Sequence, residues 1–181
     1  MDESMRIGAG LYILSAVMVP EAATEGYRNA LRELLLTKQH RLHWRDEGAQ
    51  RRIEITHAIA ALGATSFTVV GTGLHSAKQR RARRKCMERL FWHLAQRSVV
   101  RAVMEGRGAV GNREDLDMVN ALRAHNAMPE DMHVDWVDPG GEELLWLPDA
   151  IAGIIALAEI GDATFRTILV GDHRIERLHC D

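Results

Sequence analysis

The sequence predicts an α/β domain, a mixed sheet with helices packed on its faces. Two observations carry that class. Short apolar runs rich in β-formers recur at 11–19, 66–70, 99–104 and 132–137, each about the length of a buried strand. Between them apolar residues fall three and four apart, which is helical spacing. Strands interleaved with helices favour a sheet covered by helices over a bundle or a sandwich. A chain of 181 residues, 46% of them hydrophobic, suffices for one core of ordinary size. No Pro/Gly/Ser linker, repeat or low-complexity tract divides it, so a single domain over 1–181 is expected.

The elements follow in order. The run at 11–19 reads as a buried strand stopped by Pro20. Ala23, Tyr27, Ala30, Leu31, Leu34 and Leu35 mark a first helix, and a loop spans 40–48. Ile55, Ala58, Ile59 and Leu62 mark a second helix, closed by Gly63. After the strand at 66–70, Cys86, Leu90 and Leu94 share one face of a long helix over 76–97 with Met87, Phe91 and Ala95. The strand at 99–104 precedes a helix carrying Leu116, Val119 and Leu122, with Asn112 expected as its N-cap. A strand at 132–137 runs into the turn Pro139-Gly140-Gly141, and an apolar helix over 147–158 has Pro148 in its first turn. Beyond Gly161, 165–170 reads as a small edge strand and about 171–181 as a tail.

Composition excludes several classes. With 23 basic and 25 acidic residues the net charge is -2, so only a local patch can attract nucleic acid. Cys86 and Cys180 are too few for a disulfide framework and suit a reducing, cytoplasmic setting. The apolar stretch 8–19 follows an acidic cluster and is too short to span a bilayer, so neither a signal peptide nor a membrane partner is expected. The histidines lack zinc-finger spacing, no GxSxG is present, and Gly71-Thr72-Gly73 lacks a phosphate-loop pattern.

Acids at the edges of the expected elements are the chemistry-bearing residues. They are Asp2 and Glu3 before the first apolar strand, Glu105 at a strand end, Asp138 at the last strand's end, and Asp149 in the first turn of the apolar helix. Asp149 lies within the apolar stretch 144–155, where an ionised group needs a metal, a partner or the helix N-terminus beside it. A capping role would satisfy it equally well. Asp138 serves either as a ligand or as the start of the Pro-Gly-Gly turn.

Asp2-Glu3-Ser4, followed by a strand, resembles the opening of the family named for its Asp-Glu-Ser-Gly motif, domain of unknown function 3800, placed among the RNase H-like folds. Met5 stands where that motif has its glycine, and only Met1 precedes the aspartate, so a very short central strand is expected. The segment 42–46, with His43 before Trp44, resembles the family's histidine motif, and 145–153 its final motif, an aspartate opening an apolar helix. The resemblance implies an RNase H-like mixed sheet with helices on both faces and a metal-dependent nuclease or related phosphodiester hydrolase. Its Mg²⁺ or Mn²⁺ ions would be held by Asp2 from the central strand, Glu105 from an adjacent strand and Asp149 from the helix across them, because hard cations prefer carboxylate oxygens. Glu3 is the weaker ligand, since alternation turns it to the other face. His43 either faces the scissile phosphate or is packed in its loop.

Residues 78–89 hold seven cations: Lys78, Arg80, Arg81, Arg83, Arg84, Lys85 and Arg89. Such a run either grips a phosphate backbone through salt-sensitive contacts or is a solvated face paired with acids such as Glu21, Glu25, Glu142 and Glu143. Arg101, Arg107 and Arg113 extend the basic surface in the first case. Aromatic content of 5% argues against base stacking. DNA or RNA is therefore the expected partner. The competing readings are a binding or interaction domain that keeps the fold without a competent site, and a homo-oligomer anchored by Trp44, Trp92, Trp136 and Trp146.

Overall fold

The computed structural model describes residues 1–180, and Asp181 lies outside the described residues. The chain is a mixed α/β fold. Strand β1 (Asp2–Arg6) pairs antiparallel with β2 (Leu11–Met18), and β2 pairs antiparallel with β3 (Thr65–Thr72). Helices α1 (Thr24–Glu33) and α2 (Ala49–Leu62) lie between β2 and β3. After α3 (Gln79–Ala95), β4 (Arg101–Glu105) pairs parallel with β5 (His133–Val137), with α4 (Gly108–Ala124) as the crossover. Helices α5 (Trp146–Glu159) and α6 (Thr164–Ile168) lead to β6 (His173–His179), parallel to β3.

Two hydrogen bonds of Met1, the residue before β1, link that strand to β4. The Met1 ammonium donates to Val103 O at 2.6 Å, and Glu105 N–H donates to Met1 O at 3.2 Å. This alternation is that of a parallel pairing. The four-stranded sheet β6-β3-β2-β1 thus meets the two-stranded sheet β4-β5 through Met1, with β4 beside β1.

Each face has its own core. Tyr12, Leu14, Phe67 and Val69 pack under α3 and α4 with Met87, Leu90, Phe91 and Val119. Leu11, Ile13 and Val70 point the other way, onto Leu31, Ile55, Ile59, Ile151 and Ile155 of α1, α2 and α5. The period-two alternation of β2 thus feeds two layers, which explains why its sequence is apolar throughout. Trp44 and Trp146 are core residues, whereas Trp92 is 42% exposed.

The structure corrects four expectations. Asp2 and Glu3 do not merely precede a strand, because they open β1 itself, a full five residues long. Residues 164–168 are helical: Asp162 Oδ1 accepts from Thr164 N–H, and Phe165 packs edge-on against Trp44. The segment expected as a tail forms β6, and Cys180 is buried behind it. Helix α4 begins at Gly108, four residues before Asn112, whose side chain instead accepts from Arg107 N–H at 2.7 Å.

Candidate active-site cleft

Pairing and alternation decide which side chains meet. Asp2 stands opposite Ser15 and Glu3 opposite Leu14. Cross-strand partners share a face, so Glu3 faces the α3/α4 layer and Asp2 the α5 layer. On β4, Ala102 and Met104 belong to the α3/α4 core, which turns Glu105 to the α5 side. Asp149, in the first turn of α5, faces the same space. The result is a cleft of about 500 Å³ whose lining includes Asp2, Glu105, Asp149 and His43. Asp138 is not part of that lining. It is exposed, and its Oδ1 accepts from Gly140 N–H at 2.7 Å, which makes it a turn residue.

Burial raises the pKa of all three acids. Burial pushes Asp149 up to about 6; the hydrogen bond from Trp44 N–H, 2.8 Å from Oδ2, opposes this, and the charge of Asp2 adds to it. Burial, then the neighbouring Asp2 charge, pushes Glu105 up to about 7, against the pull of Arg41 at 3.9 Å. Asp2 is also raised, chiefly by burial, although the Met1 ammonium and a hydrogen bond with Glu105 oppose this. Carboxylates whose ionised form is disfavoured chiefly by burial, and then by one another's charge, form a donor set suited to a hard divalent cation. Among the described residues, no three His, Cys, Asp or Glu side chains are gathered closely enough to hold one ion as they stand.

His43 lines the cleft, and its Nδ1 lies 3.0 Å from Asp46 Oδ2. Trp44 seats the histidine loop on α5. A Cβ on Gly153 would overlap the indole ring, so glycine is required there. This packing and the Trp44–Asp149 hydrogen bond fix the loop to the helix that carries the third acid.

Behind β1 lies an ionic network that sequence reasoning missed. Asp115, fully buried on α4, accepts two bonds of 2.7 Å from Arg83 Nε and Nη2. Arg83 also donates to Tyr12 OH at 2.7 Å and contacts Glu3, which Tyr12 touches as well. Arg107 Nη1 lies 3.2 Å from Asp115 Oδ1. Asp115 sits among acids and small polar residues at the start of α4, so only the fold reveals its burial.

The basic run divides accordingly. Arg83 is 5% exposed and is not a surface contact, because Asp115 and Glu3 draw it inward. Lys85 donates to His179 O, and Arg89 pairs with Glu176 at 2.5 Å. Lys78, Arg80, Arg81 and Arg84 are exposed and line a groove against Asp117, Met118 and Ala121 of α4. The start of the helix docks on the core through buried Ala82 and Arg83. Glu25, Glu142 and Glu143 pair with Arg28 and Arg32 of α1 instead of neutralising this run.

Compared with known proteins, the chain matches no family model, no curated protein and no solved structure. Among the described residues no helix is long and apolar enough to cross a membrane.

Proposed function

We propose that the chain is a metal-dependent phosphodiester hydrolase of RNase H-like fold that acts on DNA or RNA. One observation carries the reading: Asp2, Glu105 and Asp149, more than a hundred residues apart at the extremes, line one cleft on one side of the sheet. Asp2 lies on β1, Glu105 on β4, which Met1 links to it, and Asp149 on the helix across them, which is the arrangement the family resemblance requires. Mg²⁺ or Mn²⁺ would be held by these three acids, and when bound it supplies an activated water and charge stabilisation at the leaving oxygen. His43, hydrogen-bonded to Asp46 and lining the same cleft, would be the group to orient a water or accept its proton. Lys78, Arg80, Arg81 and Arg84 line a separate groove on the α3/α4 side, and contacts there would hold a polynucleotide backbone away from the cleft itself.

A second reading has its own support. Asp149 is committed to the Trp44 amide and Asp2 to Glu105, as expected of a binding domain whose acids serve the fold alone. The test that separates them is cleavage of labelled single- and double-stranded DNA and RNA with Mn²⁺, comparing the native chain with Asp149→Ala. Metal-dependent cleavage lost in the variant supports the hydrolase. Equal, metal-independent background in both would end it.

A further inference from the structure

The cleft has a cationic rim as well as an acidic floor. Arg6, Arg45 and Arg107 line it together with the acids. Arg107 stands apart because it is anchored. It follows Glu105 by two residues, occupies the N-cap position of α4, and has an exposed side chain lining the cleft. Its Nη1 is tied to Asp115, a carboxylate with no exposure to solvent, and its Nε lies 3.9 Å from Glu3. Asp115 is itself immobilised by the two-pronged bond from Arg83. A guanidinium carries five donors in a rigid fork. Asp115 engages one end of this fork and Nε lies near Glu3, while the residue lines the cleft.

Resting on the hydrolase reading, we propose that Arg107 is the residue that grips a substrate phosphate beside the acids, and that Asp115 is the positioning residue that aims it. The ligand class is a polynucleotide phosphodiester. A planar fork pairs with two phosphate oxygens at once, and a half-exposed site already ordered by a buried carboxylate loses little side-chain freedom on binding. The positive end of α4 favours the same charge. Arg83, whose guanidinium is taken by Asp115, Tyr12 and Glu3, cannot fill this role and serves Asp115 instead.

The experiment measures binding of fluorescently labelled DNA and RNA 20-mers by anisotropy in EDTA, across a salt series, with metal-dependent cleavage scored separately. Arg107→Gln is expected to weaken binding about tenfold and to flatten the salt slope by about one. Arg107→Lys is expected to restore the slope but not the affinity, because it keeps the charge and loses the fork. Asp115→Asn should weaken binding in the same direction, and Arg174→Gln, far from the cleft on β6, should do nothing. Binding without cleavage would overturn the hydrolase and leave Arg107 in place. Native-like affinity and salt slope in Arg107→Gln would overturn the assignment whatever the cleavage result. A native chain that binds neither nucleic acid would overturn both.

Discussion

Neutralising Glu105 should blunt the loss of stability as pH rises. Glu105→Gln keeps the shape of the side chain and removes its charge. In the folded chain burial and the Asp2 charge lift Glu105 from 4.5 to about 7, so the folded state holds a proton that the unfolded state has already released. The sign follows from linkage: stability is fully present below the unfolded value and is lost as pH rises through the folded one. At about 1.4 kcal/mol per pH unit between those two values, the loss is capped at about 3.5 kcal/mol. The side chain is 28% exposed, and solvent screening brings the expectation to about 1–2 kcal/mol. For a chain of this size that is roughly 3–6 °C in melting temperature. His173, held below its usual value mainly by burial, acts in the opposite sense below about pH 6.5 and is common to both proteins. Melting curves in EDTA from pH 4.5 to 8 should therefore show the native chain losing several degrees more than Glu105→Gln, with the gap opening between pH 5 and 7. Parallel pH profiles for the two proteins would refute the reasoning.

The packing and the buried network give two further expectations. Gly153→Ala forces a methyl into the Trp44 ring and should cost about 1–3 kcal/mol, read as a lowered urea midpoint with an unchanged m-value. Asp115→Ala strands Arg83 in the core with only Glu3 and Tyr12 beside it. It should cost about 3–5 kcal/mol by the same titration, whereas a loss below 1 kcal/mol would mean that water reaches the guanidinium.

Much of the layer order is legible in the sequence, because buried strands and amphipathic helices write their own periods. The strands β2, β3, β4 and β5 are apolar runs, and α3 declares itself through Cys86, Leu90 and Leu94. The misses share one cause, which is that long-range pairing overrides local signal. Strand β6 reads His-Arg-Ile-Glu-Arg-Leu-His, an edge strand with charged outward positions, and nothing apolar marks it as structure. Residues 164–168 are rich in β-formers yet coil into a helix, because Phe165 is needed against Trp44. The three acids were legible as loose candidates, and alternation correctly separated Glu3 from Asp2. The burial of Arg83 was not legible, since its partners Glu3 and Asp115 lie 80 and 32 positions away. The glycine at 153 had a visible motif but no visible reason until Trp44 was seen resting on it.

The most direct measurement is titration of Mn²⁺ into the metal-free protein at pH 7.5, followed by the electron paramagnetic resonance signal of free Mn²⁺. Saturable uptake by the native chain, abolished in Asp2→Asn and in Asp149→Asn while both variants still melt cooperatively, is the result expected of acids that share a cation. Uptake that is absent in the native chain, or the same in all three proteins, would contradict it.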